Sequence, residues 1–323
     1  MTTAEILQAI AGMRVLVVGD VCLDRWCTYD PALAEASRET GIPRIGVIST
    51  EVTPGAAGTV ANNLAALGAK VSVLGMVGDD GFGYELRQAL QKRGIASDLL
   101  VPAPGIPTFT YTKLLNRETG EEDVPRVDFL YTKDLPADLD AKLAERFEGA
   151  AAGFEVIIVS DQAETELGGV VTPGMRKAIE RVASAHPEIL IWVDSRMRSE
   201  HFRGVVVKPN QQEAEAASVR ALGRVDYPEF RRRLCAPLLV VTHGGDGALL
   251  VDDAGERWVA TKKVEHPVDI CGAGDGFSAG AALSLKATGD AAAAARFGNQ
   301  VASITIMKKG TGTASPAELL AKE

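Results

Sequence analysis

The sequence predicts an α/β fold with a mostly parallel central sheet and helices on both of its faces. Short apolar runs alternate with segments of helical character along most of the 323 residues, and this alternation is typical of βαβ units. Most of the apolar runs also end at Gly, Asp, Asn or Ser, which is where α/β sheets usually carry functional groups.

The strands are predicted from unbroken apolar runs, which indicate burial on both faces of a sheet. The predicted strands are residues 13–18, 71–76, 155–160, 189–193, 205–208, 238–242 and 248–252. The predicted helices between them are residues 60–67, 84–93, 139–147, 174–185, 212–218 and 276–288.

Two further regions carry strand-like residues interrupted by Arg, Lys and Thr, a pattern that indicates half-exposed strands. These regions, approximately 42–49 and 108–131, are predicted to form a small β lid inserted in a single domain of residues 1–323. Such a lid could cover a ligand or pair with a second subunit, so we expect a homodimer formed through it.

Composition and charge exclude several classes of function. The net charge is −9 and no long basic run is present, which argues against nucleic acid as a partner. Residues 1–12 lack the pattern of a signal peptide, and no apolar run approaches the roughly 20 residues that cross a bilayer. The four cysteines form no CxxC pair and no zinc-site spacing. We therefore expect a cytoplasmic protein with reduced thiols and no membrane partner.

The most informative segment is Gly272-Ala273-Gly274-Asp275, placed directly before a predicted helix. Small residues allow backbone N–H groups to point into a common space, and the helix adds the positive end of its dipole. A carboxylate beside this turn could accept the proton of an attacking hydroxyl. The same residues could also be a glycine-rich loop with a capping Asp; they are not a Walker A loop, because no Gly-Lys-Ser/Thr follows.

The segment resembles the D-x-x-G-A-G-D signature of the ribokinase or PfkB family of carbohydrate kinases. The resemblance implies that Asp275 is the catalytic base and that Gly272, Ala273 and Gly274 form the anion hole. It also implies an α/β ribokinase-like fold and, as in some family members, a K⁺ ion near Asp269.

Further motifs of the family follow along the whole chain. Asp24 resembles the sugar-binding Asp after the first strand, although by itself it could be a turn residue. Residues 54–68 resemble the glycine-rich turn and helix behind the sugar, with Ala56 where the family usually has Gly and Thr59 where Asn is common. The resemblance implies sugar contacts for Asp24, Gly55, Ala56, Thr59 and Asn63.

The nucleotide side of the predicted site carries two more motifs. Asn210 and Glu213 resemble the N-x-x-E motif that helps to place Mg²⁺ and the ATP phosphates, with Asp194 as a further metal candidate. A capping arrangement at the start of a helix is the structural alternative for the first two. The remaining cofactor-binding candidates implied by the resemblance are Thr242, Gly244, Gly247 and Asn299.

The resemblance therefore implies an ATP- and Mg²⁺-dependent kinase that phosphorylates a hydroxyl of a sugar or sugar phosphate. Residues 17–25, 125–129 and 309–316 are similar to the branch acting on D-glycero-D-manno-heptose 7-phosphate. Arg126 and Asp128 would then contact the substrate, or would simply form an ion pair. Glu164 and Glu166 bring negative charge that a phosphorylated substrate would not favour. We expect no fused nucleotidyltransferase, because the kinase pattern ends close to residue 323.

Two other functions remain open. A kinase of the same family could act on another sugar, a keto-sugar acid or a nucleoside. A non-catalytic sugar-binding regulatory protein could use the same fold. A nucleotide-dependent dehydrogenase is disfavoured, because no G-x-G-x-x-G follows the first strand.

Overall fold

The structure is a computed structural model that describes residues 1–163 and 169–322. The strands are β1 (Arg14–Gly19), β2 (Val21–Tyr29), β3 (Val47–Ala56), β4 (Lys70–Leu74), β5 (Met76–Val77), β6 (Val101–Pro102), β7 (Thr110–Asn116), β8 (Val127–Phe129), β9 (Val156–Asp161), β10 (Leu190–Ser195), β11 (Val206–Val207), β12 (Leu239–Thr242), β13 (Gly247–Asp252) and β14 (Gly255–Ala260). The helices are α1 (Thr3–Ile10), α2 (Ala57–Ala66), α3 (Gly81–Gln91), α4 (Ala137–Ala151), α5 (Pro173–Ala185), α6 (Gln211–Leu222), α7 (Tyr227–Arg233), α8 (Ala273–Thr288), α9 (Ala291–Thr305) and α10 (Pro316–Leu320).

The central sheet has the strand order β14-β13-β12-β11-β10-β9-β1-β4. The pairings from β4 through β12 are parallel, whereas β12–β13 and β13–β14 are antiparallel. The predicted mostly parallel sheet is thus confirmed. Because the carboxyl ends of parallel strands share one edge, the polar residues that follow β1, β9, β10 and β11 converge there.

Helices cover both faces of this sheet, as predicted. Side chains alternate along a strand, so Val15 and Val17 of β1 pack into one apolar cluster, while Leu16 and Val18 pack into the other. The first cluster includes residues of α2 and α8. The second includes residues of α4 and α5. Helix α8, which carries the predicted catalytic segment, is therefore anchored directly on the sheet.

Chain continuity links the central sheet to a second sheet through Gly19. At this residue φ is +143°, and a Cβ would lie 2.0 Å from the carbonyl oxygen of Ser160. Only glycine tolerates both conditions. The chain turns at Asp20 and continues as β2, so the end of β1 lies at the junction of the two sheets.

The second sheet, called the small sheet below, has the order β3-β2-β7-β8. Its strands β3, β7 and β8 fall in or beside the predicted lid regions, but residues 42–46 lie outside β3, which continues to Ala56. Strand β2 was not predicted from the sequence. It pairs with β3 on one side and with β7 on the other, so it forms the centre of the small sheet.

In the part of the chain that the structure describes, no helix combines the length and the apolar character needed to span a membrane.

Candidate active site

The N-terminus of α8 forms the centre of the site. Gly272 is the N-cap residue with a left-handed backbone (φ 78°), and no side chain caps the helix. The helix begins at Ala273, three residues earlier than predicted, so Asp275 lies within its first turn. The N–H of Ala273 donates to the carbonyl of Ile270 at 3.2 Å. Among the described residues the N–H groups of Gly274 and Asp275 have no acceptor, so these two are open to an anion.

The Asp275 carboxylate is half-buried and has a perturbed acidity. Burial and the neighbouring carboxylate of Asp194 raise its pKa from 3.8 to about 7, although Lys208 and Arg196 act in the opposite direction. A carboxylate with a pKa near 7 is a stronger base than an ordinary aspartate and is still partly ionised at neutral pH, so it can accept a proton there. This environment is compatible with the general-base role that the resemblance implies for Asp275.

A buried ion pair lies beneath this helix end. The Lys208 ammonium contacts the Asp194 carboxylate at 2.6 Å, and both side chains are almost fully buried. Ser278 on α8 donates a further hydrogen bond to Asp194 at 3.0 Å. A Cβ on Gly274 would lie 3.5 Å from the Lys208 ammonium, so this cation is next to the open amides.

Lys208 was not predicted as a functional residue. Burial disfavours the charged form, but Asp194 outweighs it and raises the pKa of Lys208, so the ammonium remains charged beside the open amides. Its position directly after the short strand β11 could have identified it as a candidate, because Asp194 lies at the same edge of the sheet. The sequence could not show that the two side chains meet.

One pocket lies between the small sheet and α8, and it is called the acceptor pocket below because the resemblance predicts sugar contacts for several of its residues. Its volume is about 210 Å³. The predicted site residues that line it are Asp24, Ala56, Thr59, Arg126, Gly272 and Asp275. The small sheet forms one wall through β2 and β7, and residues of α2 and α8 form another.

Asp24 is the second carboxylate of the acceptor pocket. Burial raises its pKa to about 6, opposed by the Cys22 thiol and by Lys113. A Cβ on Gly55 would come within 2.5 Å of this carboxylate, so Gly55 provides the space in which Asp24 sits. Gly55 therefore acts on the pocket indirectly.

Three predicted substrate residues have partners within the protein. Asn63 is fully buried on α2 and donates to the carbonyl of Thr59 at 3.0 Å. Arg126 binds one oxygen of Asp128 with two nitrogens, at 2.7 and 3.0 Å. The ion pair considered in the sequence analysis is therefore present, and Asp128 is not among the residues lining the acceptor pocket.

A second pocket of about 360 Å³ also adjoins the α8 N-terminus, and it is called the nucleotide pocket below because the resemblance predicts nucleotide binding there. It is lined by Thr242, Gly244, Gly247 and Asn299, all predicted, and by Ala273 and Gly274 of α8. Apolar walls come from residues that sequence patterns did not single out: Val264, Ile270, Phe277 and Ile306. These side chains could sandwich a planar base.

Asn210 and Glu213 form a reciprocal capping box at the start of α6. The Asn210 side chain accepts from the Glu213 N–H at 2.9 Å, and the Glu213 carboxylate accepts from the Asn210 N–H at 2.7 Å. The predicted structural alternative is thus present. Asn210 also bridges Thr242 of the nucleotide pocket through its backbone, which places the motif beside the pocket.

The residues beside the nucleotide pocket could hold a magnesium ion only with few direct protein ligands. The described residues contain no group of three or more His, Cys, Asp or Glu side chains that could hold a metal. The capping box occupies one oxygen of Glu213 and leaves the other unused by the described residues. Such an arrangement suits Mg²⁺ that keeps several waters and is bound mainly by phosphates, with Glu213 as its protein contact through water.

Asp269 is positioned by the backbone. One of its oxygens accepts from the N–H of Cys271 at 2.9 Å and the other from Gly310 at 3.1 Å. The carboxylate therefore joins the segment before α8 to the segment after α9. These bonds explain its placement without a cation, and K⁺ near Asp269 stays a prediction.

A buried carboxylate also holds the edge of the acceptor pocket. Asp20 accepts hydrogen bonds from the backbone N–H groups of Gln162, Ala163 and Val170, at 3.0, 2.9 and 2.7 Å. Gln162 lines the pocket and binds Arg196 at 2.6 Å. Glu164 and Glu166 lie outside the described residues.

Comparison with known proteins connects this geometry to a family. Residues 14–318 match the family described as pfkB family carbohydrate kinase. The curated relatives include the bifunctional protein HldE of Pelobacter propionicus, 31% identical, and that of Geobacter sulfurreducens, 33% identical. Each match covers 98% of this chain, but the chain spans only 64% of the length of either relative.

Solved structures share the fold at low sequence identity. The ribokinase of Thermotoga maritima superposes with a TM-score of 0.68 at 20% identity, covering 96% of this chain and 98% of the ribokinase. Phosphofructokinase-2 of Escherichia coli, solved in complex with potassium, gives 0.69 at 19% identity, covering 96% and 97%. Both have the ribokinase-like α/β architecture that the sequence predicts.

Proposed function

The chain belongs to the pfkB family of carbohydrate kinases and is a phosphotransferase, and we propose that it moves the γ-phosphoryl group of ATP onto a hydroxyl of a sugar or sugar phosphate. D-glycero-D-manno-heptose 7-phosphate is the first acceptor to test. The relatives named HldE support this choice, together with the similarity of residues 17–25, 125–129 and 309–316 to the heptose-phosphate branch.

One observation carries the proposal. The acceptor pocket and the nucleotide pocket both adjoin the α8 N-terminus: Gly272 and Asp275 line the first, and Ala273 and Gly274 line the second. In the proposed transfer, the phosphoryl group passes the open amides of Gly274 and Asp275 as it moves from one pocket to the other. The only side chain of this segment with a proton-accepting group, Asp275, lines the acceptor side.

The proposed step follows from these positions. The acceptor hydroxyl loses its proton to the Asp275 carboxylate as its oxygen bonds to the γ-phosphorus, and the bond from that phosphorus to the β,γ-bridging oxygen breaks, which leaves ADP. Negative charge on the transferred group is stabilised by the amides of Gly274 and Asp275 and by the Lys208 ammonium. Mg²⁺, when bound, would neutralise phosphate charge, with Glu213 orienting its water shell.

Asp194 has a positioning role in this proposal, because it holds the Lys208 ammonium in place. An isolated buried ammonium would be costly, and Asp194 compensates for it at 2.6 Å. The pair is in turn fixed to α8 by Ser278. Because the cation is held in place before substrate binds, little reorganisation is needed when charge develops on the phosphoryl group.

Two alternatives differ in their expected behaviour. A family member acting on another sugar, a keto-sugar acid or a nucleoside would keep Asp275-dependent turnover but with a different acceptor. A non-catalytic sugar-binding protein would bind ligand without turnover. The raised pKa of Asp275 and the open amides beside it favour catalysis, since a simple binding protein has no need of a neutral-pH base.

We also propose a homodimer formed through the small sheet. Strand β3 is an edge strand, and Val47 and Ile48 on it are about half exposed, as is nearby Ile45. Exposed apolar residues on a sheet edge favour association with another copy. Light scattering at micromolar concentrations should give twice the mass of one chain; a monomer mass would contradict this proposal.

The decisive experiment is an ADP-release assay with Mg·ATP against sugars, nucleosides and their phosphates, including the heptose 7-phosphate. We expect strong turnover of one phosphorylated sugar and loss of nearly all turnover in Asp275→Asn, which should still bind ATP. Near-normal turnover in that variant would remove Asp275 as the base. Binding of a sugar without any turnover would support the non-catalytic alternative.

A further inference from the structure

One wall of the acceptor pocket carries a cation that no motif pointed to. Lys113 of β7 lies opposite Trp26 of β2 in the parallel pairing of the small sheet. Tyr111, two residues before Lys113, lies opposite Asp24. Since residues two apart on a strand share a face, all four side chains belong to the same face of the small sheet. All four line the acceptor pocket.

The surroundings of Lys113 differ from those of the other pocket cations. Its ammonium lies 4.5 Å from the centre of the Trp26 ring, and no carboxylate of the described residues is within ion-pair distance. The other cations of the pocket have polar partners. These are Arg25 with Glu85 at 3.2 Å, Arg126 with Asp128 at 2.7 Å, and Arg196 with Gln162 at 2.6 Å.

Burial makes this arrangement informative. Lys113 is half-buried, whereas Arg126 is exposed. A partly desolvated ammonium is normally compensated by an anion, and an aromatic face compensates it only weakly. Lys113 therefore packs against the Trp26 ring at the pocket surface, without a carboxylate partner among the described residues.

We propose that Lys113 binds an oxyanion of the acceptor, a phosphate or a carboxylate, on the small-sheet wall of the pocket that Asp275 also lines. This inference rests on the proposed kinase function and narrows its substrate class to anionic sugars. Asp24 on the same sheet face binds sugar hydroxyls, and Asp275 on the other wall activates the hydroxyl that receives the phosphoryl group. Neutral sugars and nucleosides lack the group that Lys113 binds.

Arg126 has a secondary role in this arrangement. Its guanidinium is already bound by Asp128 through two nitrogens, and it lies over the Tyr111 ring, 5.2 Å from the centre. It can approach the same oxyanion only by sharing its charge with Asp128. Lys113 therefore contributes the larger share of the affinity.

The test compares Lys113→Met with Lys113→Arg and with a matched control. Methionine keeps an apolar stem against Trp26 without the charge, and arginine restores the charge. Lys70→Met is the control, because Lys70 is the first residue of β4 and pairs with Arg14, the first residue of β1. It therefore lies at the amino ends of the parallel strands, whereas the acceptor pocket lies at their carboxyl ends. KM and kcat are measured with a sugar phosphate, the matching sugar acid and the neutral sugar.

We expect Lys113→Met to raise KM for the anionic acceptor by about 10- to 100-fold, the usual value of a charged hydrogen bond. The value of kcat should change little, and KM for the neutral sugar should change less than about twofold. Lys113→Arg should recover most of the affinity. A larger loss with the sugar phosphate than with the sugar acid identifies phosphate as the group bound, and the reverse identifies carboxylate.

Two results would overturn the inference: an unchanged KM for every anionic acceptor, or an equal loss for anionic and neutral sugars. The second would mean that Lys113 acts through Asp24, whose pKa it lowers.

A binding measurement separates this inference from the proposed function. Inorganic phosphate is titrated in the absence of ATP while tryptophan fluorescence is recorded, with Trp26→Phe identifying the signal of the residue that contacts Lys113. Phosphate should change the Trp26 signal in the wild type and much less in Lys113→Met. If the wild type phosphorylates no sugar, the kinase proposal fails, and this titration still decides whether Lys113 binds an oxyanion. Equal titrations in both proteins would refute it.

Discussion

Replacing Asp275 by Asn should abolish turnover and at the same time stabilise the protein above neutral pH. In the folded protein burial and Asp194 raise the pKa of Asp275 to about 7, against 3.8 for an ordinary aspartate. Between these two values the folded state holds a proton that the unfolded state has released. The wild type therefore loses stability as pH rises towards 7, and the amide of asparagine has no such dependence.

The magnitude follows from the same pKa values. A rise from 3.8 to about 7 corresponds to at most about 4 kcal/mol of destabilisation in the charged form. The carboxylate reaches the cleft and is solvated on one side, so we expect about 1–2 kcal/mol. Asp275→Asn should therefore exceed the wild type by this amount at pH 8 and by much less at pH 5.

The assay is urea unfolding of both proteins at pH 5 and pH 8. Asp98→Asn is the matched control, because Asp98 is exposed and its side chain makes no hydrogen bond or ion pair with the described residues. The control should match the wild type at both pH values. Equal stability of Asp275→Asn and the wild type at pH 8, or a larger gain at pH 5, would refute the assigned environment of Asp275.

The remaining predictions concern the base, the altered turn and the metal. First, kcat/KM should fall about tenfold per pH unit below about pH 7, because the protonated carboxyl of Asp275 cannot act as a base. A pH profile that is flat between pH 5.5 and 7 would argue against Asp275 as the base. Second, Ala56→Gly should raise the free energy of unfolding by about 1 kcal/mol. Ala56 has φ 50° and ψ −117°, a strained backbone that glycine adopts freely. In thermal unfolding, the control Ala65→Gly within α2 should instead lower the stability. Third, Glu213→Gln should raise the Mg²⁺ concentration needed for half-maximal activity several-fold, since glutamine keeps the capping bond to Asn210 but loses the charge. The control Glu215→Gln on the same helix should not change this concentration. Identical metal titrations for Glu213→Gln and the wild type would exclude a role of Glu213 in Mg²⁺ binding.

Local sequence patterns accounted for most of the central sheet. Strands such as β9 and β10 are unbroken apolar runs buried on both faces, and such runs have few other stable arrangements. Two strands that the sequence analysis did not predict, β14 and β2, lack this pattern of unbroken apolar residues. Strand β14 is mostly exposed, with the sequence GERWVA, and β2 is only partly buried. Their strand structure depends on pairing with neighbours rather than on their own periodicity.

The sequence by itself determined the family and was sufficient to propose the catalytic segment, because Gly272 to Asp275 are adjacent in the chain and their chemistry is local. Tertiary structure alone decided which distant residues meet. Asp194 lies in β10 and Lys208 directly follows the neighbouring β11, so their ion pair depends on strand order in the sheet. Lys113 reaches the acceptor pocket only because β7 pairs with β2. The pKa of Asp275 likewise depends on burial and on charges far away in sequence, and no local pattern encodes either.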